Sequence, residues 1–154
     1  RKVVFEHAGL NVNDHVAELN RSVGDALLKP TRIYARTVAA AAAAAGNANL
    51  HGIAHITGGG IADNLVRILP NHTEAVVSRA EWQIPRVFQW LQRLGNVAEK
   101  EMFNVFNMGI GMIFCVPPRV AASVQDACST PENPAIRLGE IRSQKAEDPT
   151  VLLS

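Results

Sequence analysis

The sequence predicts an α+β fold in which a mixed β-sheet is covered by helices, and three observations carry that expectation. Apolar or alternating runs of strand length recur at residues 51–57, 73–77 and 106–116. Around them lie stretches with apolar residues at helical spacing, such as Ile61, Leu65 and Ile68, or Val87, Phe88, Leu91 and Leu94. The two kinds of segment interleave in an irregular order, as in a sheet covered by helices.

Taken in order, residues 1–7 read as a helix entered in its middle at Arg1, so the chain is expected to be a piece of something longer. Ala8-Gly9 closes that helix where the backbone must turn left-handed. A polar, loosely patterned segment runs to Asn20. Ser22 is placed to cap a short helix over 23–28, with Asp25 three residues on and Pro30 just beyond its end. Seven consecutive alanines then predict a helix over 33–45, ended by Gly46, whose small side chains suit close packing against a sheet.

The run 51–57 alternates like a half-buried strand, and the helical spacing from Ile61 makes Gly58-Gly59-Gly60 a strand-to-helix turn, with Pro70 stopping the helix. A strand is expected over 73–77. Pro85 opens a helix that runs to Gly95, and a shorter helix follows over 99–105. In the strand-like segment 106–116, Met108, Ile110 and Met112 alternate with Gly109 and Gly111, so a helix or a ligand should approach the bare glycine face closely. Pro117-Pro118 starts a helix to Cys128, and two short strands, 135–141 and 150–153, finish the chain.

A chain of 154 residues suits one domain, large enough to bury about 70% of its unfolded surface without disulfide staples. Apolar residues make up 47% and charged ones 19%, the balance of a globular protein rather than a disordered one. Fifteen basic and fourteen acidic side chains leave a formal charge of +1 with no Lys/Arg run, which argues against a nucleic-acid partner. The apolar runs 38–45 and 108–116 fall short of the roughly 20 residues a membrane span needs. Cys115 and Cys128 form no CxxC and have no zinc-spaced partners, so buried reduced thiols in a cytoplasmic protein are expected.

Chemistry concentrates at the glycine turn. Helix starts carry free N–H groups and partial positive charge, and residues without Cβ let an anion approach the backbone, so Gly58, Gly59 and Gly60 are either a phosphate cradle or simply a tight turn. The pattern is neither a Walker A loop nor GxGxxG. His55 lies two residues before Thr57, at the carboxyl end of a strand where α/β ligands gather, and is either a site residue or a hydrogen-bonded structural one. Asn64, polar and uncharged near the helix start, is a candidate ligand contact, whereas Asp63 suits the helix dipole and Arg67 the solvated surface. His51 and His55 lie four apart, but no third ligand follows, so no metal site is expected.

Five blocks together are more specific than any one. PTRIY at 30–34, AHITGGG at 54–60, NLVRILP at 64–70, VFQWLQRLGNV at 87–97 and EMFNVFNMGIGM at 101–112 resemble, in order, the C-terminal half of the phosphoribosylformylglycinamidine cyclo-ligases, also called aminoimidazole ribonucleotide synthetases. That resemblance implies a two-domain subunit. Its N-terminal half, absent here, forms the homodimer and supplies most of the ATP and metal ligands, while this chain is the C-terminal domain that walls one side of the cleft between them.

The implied reaction is the ATP-dependent closure of formylglycinamidine ribonucleotide to aminoimidazole ribonucleotide in purine synthesis, with release of ADP and phosphate. ATP phosphorylates the formyl oxygen, and an amidine nitrogen then attacks the activated carbon. Such chemistry calls for a proton-moving group and for donors around a phosphoryl group. The resemblance casts His55 in the first role and the backbone of Gly58, Gly59 and Gly60 in the second, with Thr57 and Asn64 as further phosphate or substrate contacts. ATP and Mg2+ belong to the full-length enzyme, and none is expected to be held by this domain alone.

Two departures stand out: Val66 replaces a proline common in the family, and the alanine tract replaces a more varied helix. Other members of the superfamily, the formylglycinamidine ribonucleotide synthetases and selenophosphate synthetases, resemble the chain only around the glycine turn. A noncatalytic ligand-binding or dimerisation module is the alternative from another class.

Overall fold

A computed structural model describes the backbone of residues 1–154 and every side chain except that of Asn47. Among the described residues, seven strands form three small sheets. The expected fold class is found, α+β with one mixed sheet, but the strands do not join into a single sheet.

The N-terminal turn Lys2–His7 is helical, wound as a π-helix, and its fully buried Val4 packs with Trp90. The segment that shows no pattern in the sequence folds into a minimal hairpin. β1 (His15–Val16) pairs antiparallel with β2 (Arg21–Ser22), and Asn20, left-handed at φ 50°, turns the chain between them. Strands of two residues are too short to display alternation, which is why the sequence hides them. Ser22 then caps α1 (Val23–Leu27) as expected, its Oγ accepting from the Asp25 N–H at 3.0 Å.

The alanine tract forms α2 (Ala35–Ala45), two residues shorter at its start than the sequence predicts. Its packing partner also differs from expectation. Ala41 and Ala45 are buried against Val124 and Cys128 of α6 (Pro118–Cys128), so the small side chains bring helix to helix rather than helix to sheet. Phe114 and Val116 only flank that contact.

β3 (Gly52–His55) pairs antiparallel with β5 (Met112–Cys115), His55 facing Met112 across the ladder. The strand expected from residue 106 starts only at Met112. Met108 and Gly109 are both left-handed, at φ 49° and 103°, and Asn107 closes a turn there by accepting the Gly109 N–H on Oδ1 at 3.1 Å and the Ile110 N–H on its carbonyl at 2.9 Å. The glycines therefore do not share one strand face: Gly109 abuts Pro85 and Gly111 abuts Tyr34.

After the glycine turn comes α3 (Gly60–Leu65), continued by a 3-10 turn at Val66–Ile68. β4 (Thr73–Val77) is the centre of the mixed sheet, antiparallel to β6 (Gly139–Ser143) and parallel to β7 (Thr150–Leu153). β6 starts four residues later than expected; Ala135 is instead held by the preceding segment, its N–H on Ser129 Oγ at 3.0 Å and its carbonyl accepting the Gln125 side-chain amide at 3.0 Å. α4 (Arg86–Gly95) starts behind Pro85 and stops at left-handed Asn96, and α5 (Glu99–Val105) follows.

α3 is the wedge between the two larger sheets. Its Ile61 and Leu65 are buried in one cluster with Ala54 and Ile113 of the β3–β5 pair, Ile56 just after β3, and Ala75 and Val77 of β4. Removing a side chain such as Ile61 from water is worth about 1.5–3 kcal/mol. The core thus fixes where α3 begins, and with it the glycine turn.

Candidate functional site

The turn is built from its interior outward. Ile56 is buried and donates its N–H to the Gly111 carbonyl at 2.9 Å, tying the end of β3 to the start of β5. On either side of it His55 and Thr57 are exposed, so their side chains emerge together at the surface. The Gly60 N–H donates to the Thr57 carbonyl at 3.2 Å and closes the turn.

The three glycines answer to three different constraints. Gly60 is buried and left-handed at φ 63°, and a Cβ there would overlap the Phe103 carbonyl oxygen at the end of α5. Gly59 is left-handed at φ 92°, and its Cβ would fall 2.9 Å from the Asp63 Cβ. Gly58 has open space where a Cβ would stand. The sequence leaves the three glycines open as a phosphate cradle or a tight turn; in the structure Gly58 is exposed, Gly59 half-buried and Gly60 packed against Phe103.

Asn64 sits behind the turn. It is buried, and its Nδ2 donates to the Gly58 carbonyl at 3.1 Å and the Gly60 carbonyl at 2.7 Å. Its amide hydrogens are therefore spent on shaping the loop.

Beside the turn the structure gathers Gly111 with Tyr34 and Arg32, two residues to which sequence reasoning gave no chemistry. Tyr34, at the start of α2, meets the His55 ring edge-on, with centroids 5.8 Å apart and planes at 62°. The Tyr34 hydroxyl lies over the bare backbone of Gly111, where a Cβ would overlap it. The Arg32 guanidinium carbon stands 5.6 Å from the Tyr34 ring centre. The signal was the PTRIY block, prominent as a pattern but silent about contacts made 77 positions away.

Other groups fall elsewhere. Among the described residues no three His, Cys, Asp or Glu side chains gather as metal ligands. Two shallow hollows, one bounded by Glu18, Arg86, Gln89 and Arg93 and one by Ser78, Glu81, Arg137, Leu138 and Gly139, involve none of the turn residues. Burial pushes the Cys115 and Cys128 thiols up from their ordinary pKa, which lowers the thiolate fraction a nucleophile would need. Among the described residues no helix is long and apolar enough to cross a membrane.

Fold and site together define an α+β domain that presents a histidine and a strand–glycine turn–helix on its surface. Residues 2–151 match the family model described as AIR synthase related protein, C-terminal domain, and the chain belongs to that family. It is 43% identical over 141 residues to a phosphoribosylformylglycinamidine cyclo-ligase of Geotalea daltonii, an overlap of 92% of this chain and 40% of that protein. A protein of the same name from Syntrophotalea carbinolica is 41% identical over 154 residues, 99% of this chain and 43% of the relative. With one from Thermoanaerobacter sp. the identity is 45% over 118 residues, 77% of this chain and 34% of the relative. The chain thus spans roughly two fifths of the length of the curated relatives it matches.

Proposed function

We propose that this chain is the C-terminal domain of an ATP-dependent cyclo-ligase that closes formylglycinamidine ribonucleotide to aminoimidazole ribonucleotide in purine synthesis. The observation that carries it is 41% identity across 99% of the chain to a protein bearing the cyclo-ligase name. The domain works with an N-terminal domain of the same polypeptide, in a cytoplasmic homodimer, and contributes one wall of the active site.

ATP supplies the phosphoryl group that turns the formyl oxygen into a leaving group. The part of the exposed His55 imidazole is to take the proton released as the amidine nitrogen attacks. Thr57 and Gly58 are exposed at the turn and Gly59 is half-buried beside them, and the Thr57 hydroxyl with the Gly58 and Gly59 N–H groups are the donors for a phosphate of the substrate or of ATP. Gly60 and Asn64 hold the turn in shape, the first with its N–H on Thr57 and the second with its amide on Gly58 and Gly60.

The donors for Mg2+ are a poor fit to this chain. Asp63 is the carboxylate against Gly59, and no further acidic group joins it in a metal-binding trio among the described residues. We assign the metal ligands to the N-terminal domain.

The test is ring closure by the full-length protein carrying this sequence, followed as ATP-dependent appearance of the aminoimidazole product. Turnover that depends on both substrates supports the assignment. A folded full-length protein that neither forms product nor binds nucleotide or substrate by calorimetry overturns it in favour of a noncatalytic module.

A further inference from the structure

We infer that Tyr34 is the positioning residue for His55, held in place by the missing side chain of Gly111. This rests on the proton-transfer role proposed above for His55. Three contacts converge on one ring. The Tyr34 edge-to-face contact with His55 restricts an imidazole that is otherwise exposed at a strand end. The far end of the Tyr34 side chain lies directly against the Gly111 backbone, since a Cβ on Gly111 would come within 2.8 Å of Tyr34 Cζ and would overlap the hydroxyl. Arg32 bears on the same ring from 5.6 Å.

The contact is long-range in sequence yet short in construction. Gly111 lies one residue before β5, whose Met112 pairs with His55, and its carbonyl accepts the N–H of Ile56, the residue after His55. The backbone that carries His55 and the ring that orients it are thus referred to the same glycine. An exposed imidazole samples several rotamers, and a proton acceptor misplaced by about 1 Å can lose on the order of a hundredfold in rate. A fixed aromatic wall removes that freedom without using either ring nitrogen.

The experiment compares Tyr34→Phe, Tyr34→Leu, Gly111→Ala, His55→Ala and the Tyr34→Leu/His55→Ala pair in the full-length protein, with thermal melting to verify folding. Tyr34→Leu and Gly111→Ala are expected to lower kcat by about tenfold or more with little change in KM. Tyr34→Phe keeps the ring and retains most of kcat. Adding Tyr34→Leu to His55→Ala costs nothing further, because the two residues act as one unit. In histidine-labelled protein the His55 ring resonances, assigned by their loss in His55→Ala, move in Tyr34→Leu as the ring current is removed.

Unmoved His55 resonances in a folded Tyr34→Leu protein would overturn the inference. So would a loss of kcat that is the same with and without His55. Full turnover in His55→Ala removes the proton-transfer role itself, and the resonances then still decide whether Tyr34 orients His55.

Discussion

Asn64 reaches back across the glycine turn to Gly58, its side-chain amide nitrogen 3.1 Å from that carbonyl oxygen and 2.7 Å from the one on Gly60. One buried side chain thus holds both ends of a loop whose outer surface is exposed. Asn64→Ala leaves two carbonyls without this donor and should cost about 1–3 kcal/mol in denaturant unfolding. Asn64→Asp should cost more, because an ionised carboxylate accepts hydrogen bonds only and would face two carbonyl oxygens. Equal stability of the two variants would show that the amide is not what holds the turn.

Neighbouring glycines should respond oppositely to the same substitution. Gly60→Ala combines a left-handed backbone with a Cβ that overlaps the Phe103 carbonyl, so a loss of about 2 kcal/mol or more is expected. Gly58→Ala meets open space and should stay within about 0.5 kcal/mol of the parent. Thermal unfolding of the two single variants checks the contrast.

The contact between α2 and α6 depends on smallness. Ala41 is fully buried there, and Ala41→Leu should overpack the contact and cost about 1–3 kcal/mol, while the exposed Ala43→Gln should be nearly neutral. Urea midpoints with unchanged slopes would establish that stability alone has moved.

Both thiols have folded pKa values raised by burial. The unfolded chain therefore loses these protons first, and stability falls as pH rises through that interval. The thiol contribution should be complete below about pH 8.5 and lost as pH climbs through the raised folded values. Unfolding midpoints measured from pH 7 to about pH 10 should decline more steeply for the parent than for a Cys115→Ala/Cys128→Ala protein, in which this component is absent.

The helices and the central strands were legible in the sequence wherever periodicity ran for a full element. α4 shows its apolar face at Val87, Leu91 and Leu94, and Ser22 announces α1 by its capping chemistry alone. The β1–β2 hairpin was illegible because its strands are two residues long. The segment 106–116 misled for another reason: alternation of Met and Gly mimics a strand, whereas glycine also permits the turn that Asn107 closes. The alanines foretold close packing but carry no information about what packs on them.

At the site, His55, Thr57 and the glycines could be picked out because residue type and position in a strand–turn–helix suggest chemistry by themselves. Division of labour among the glycines could not, since it depends on Phe103 and Asp63 standing at particular points in space. Tyr34 was invisible for the same reason. Its meaning lies in Gly111 and His55, which only the fold brings to it.

β6, exposed at all five of its residues, forms one border of its sheet. Such a border invites another extended chain to add itself by backbone pairing. Two charges of opposite sign, Glu140 and Arg142, stand on that strand, and Arg142 is drawn back over the sheet by Glu74 at 2.6 Å. A second molecule approaching this rim would have to strip water from both charges before it could pair. What opposes edge pairing along this side of the protein is therefore charge on surface side chains that the core does not need.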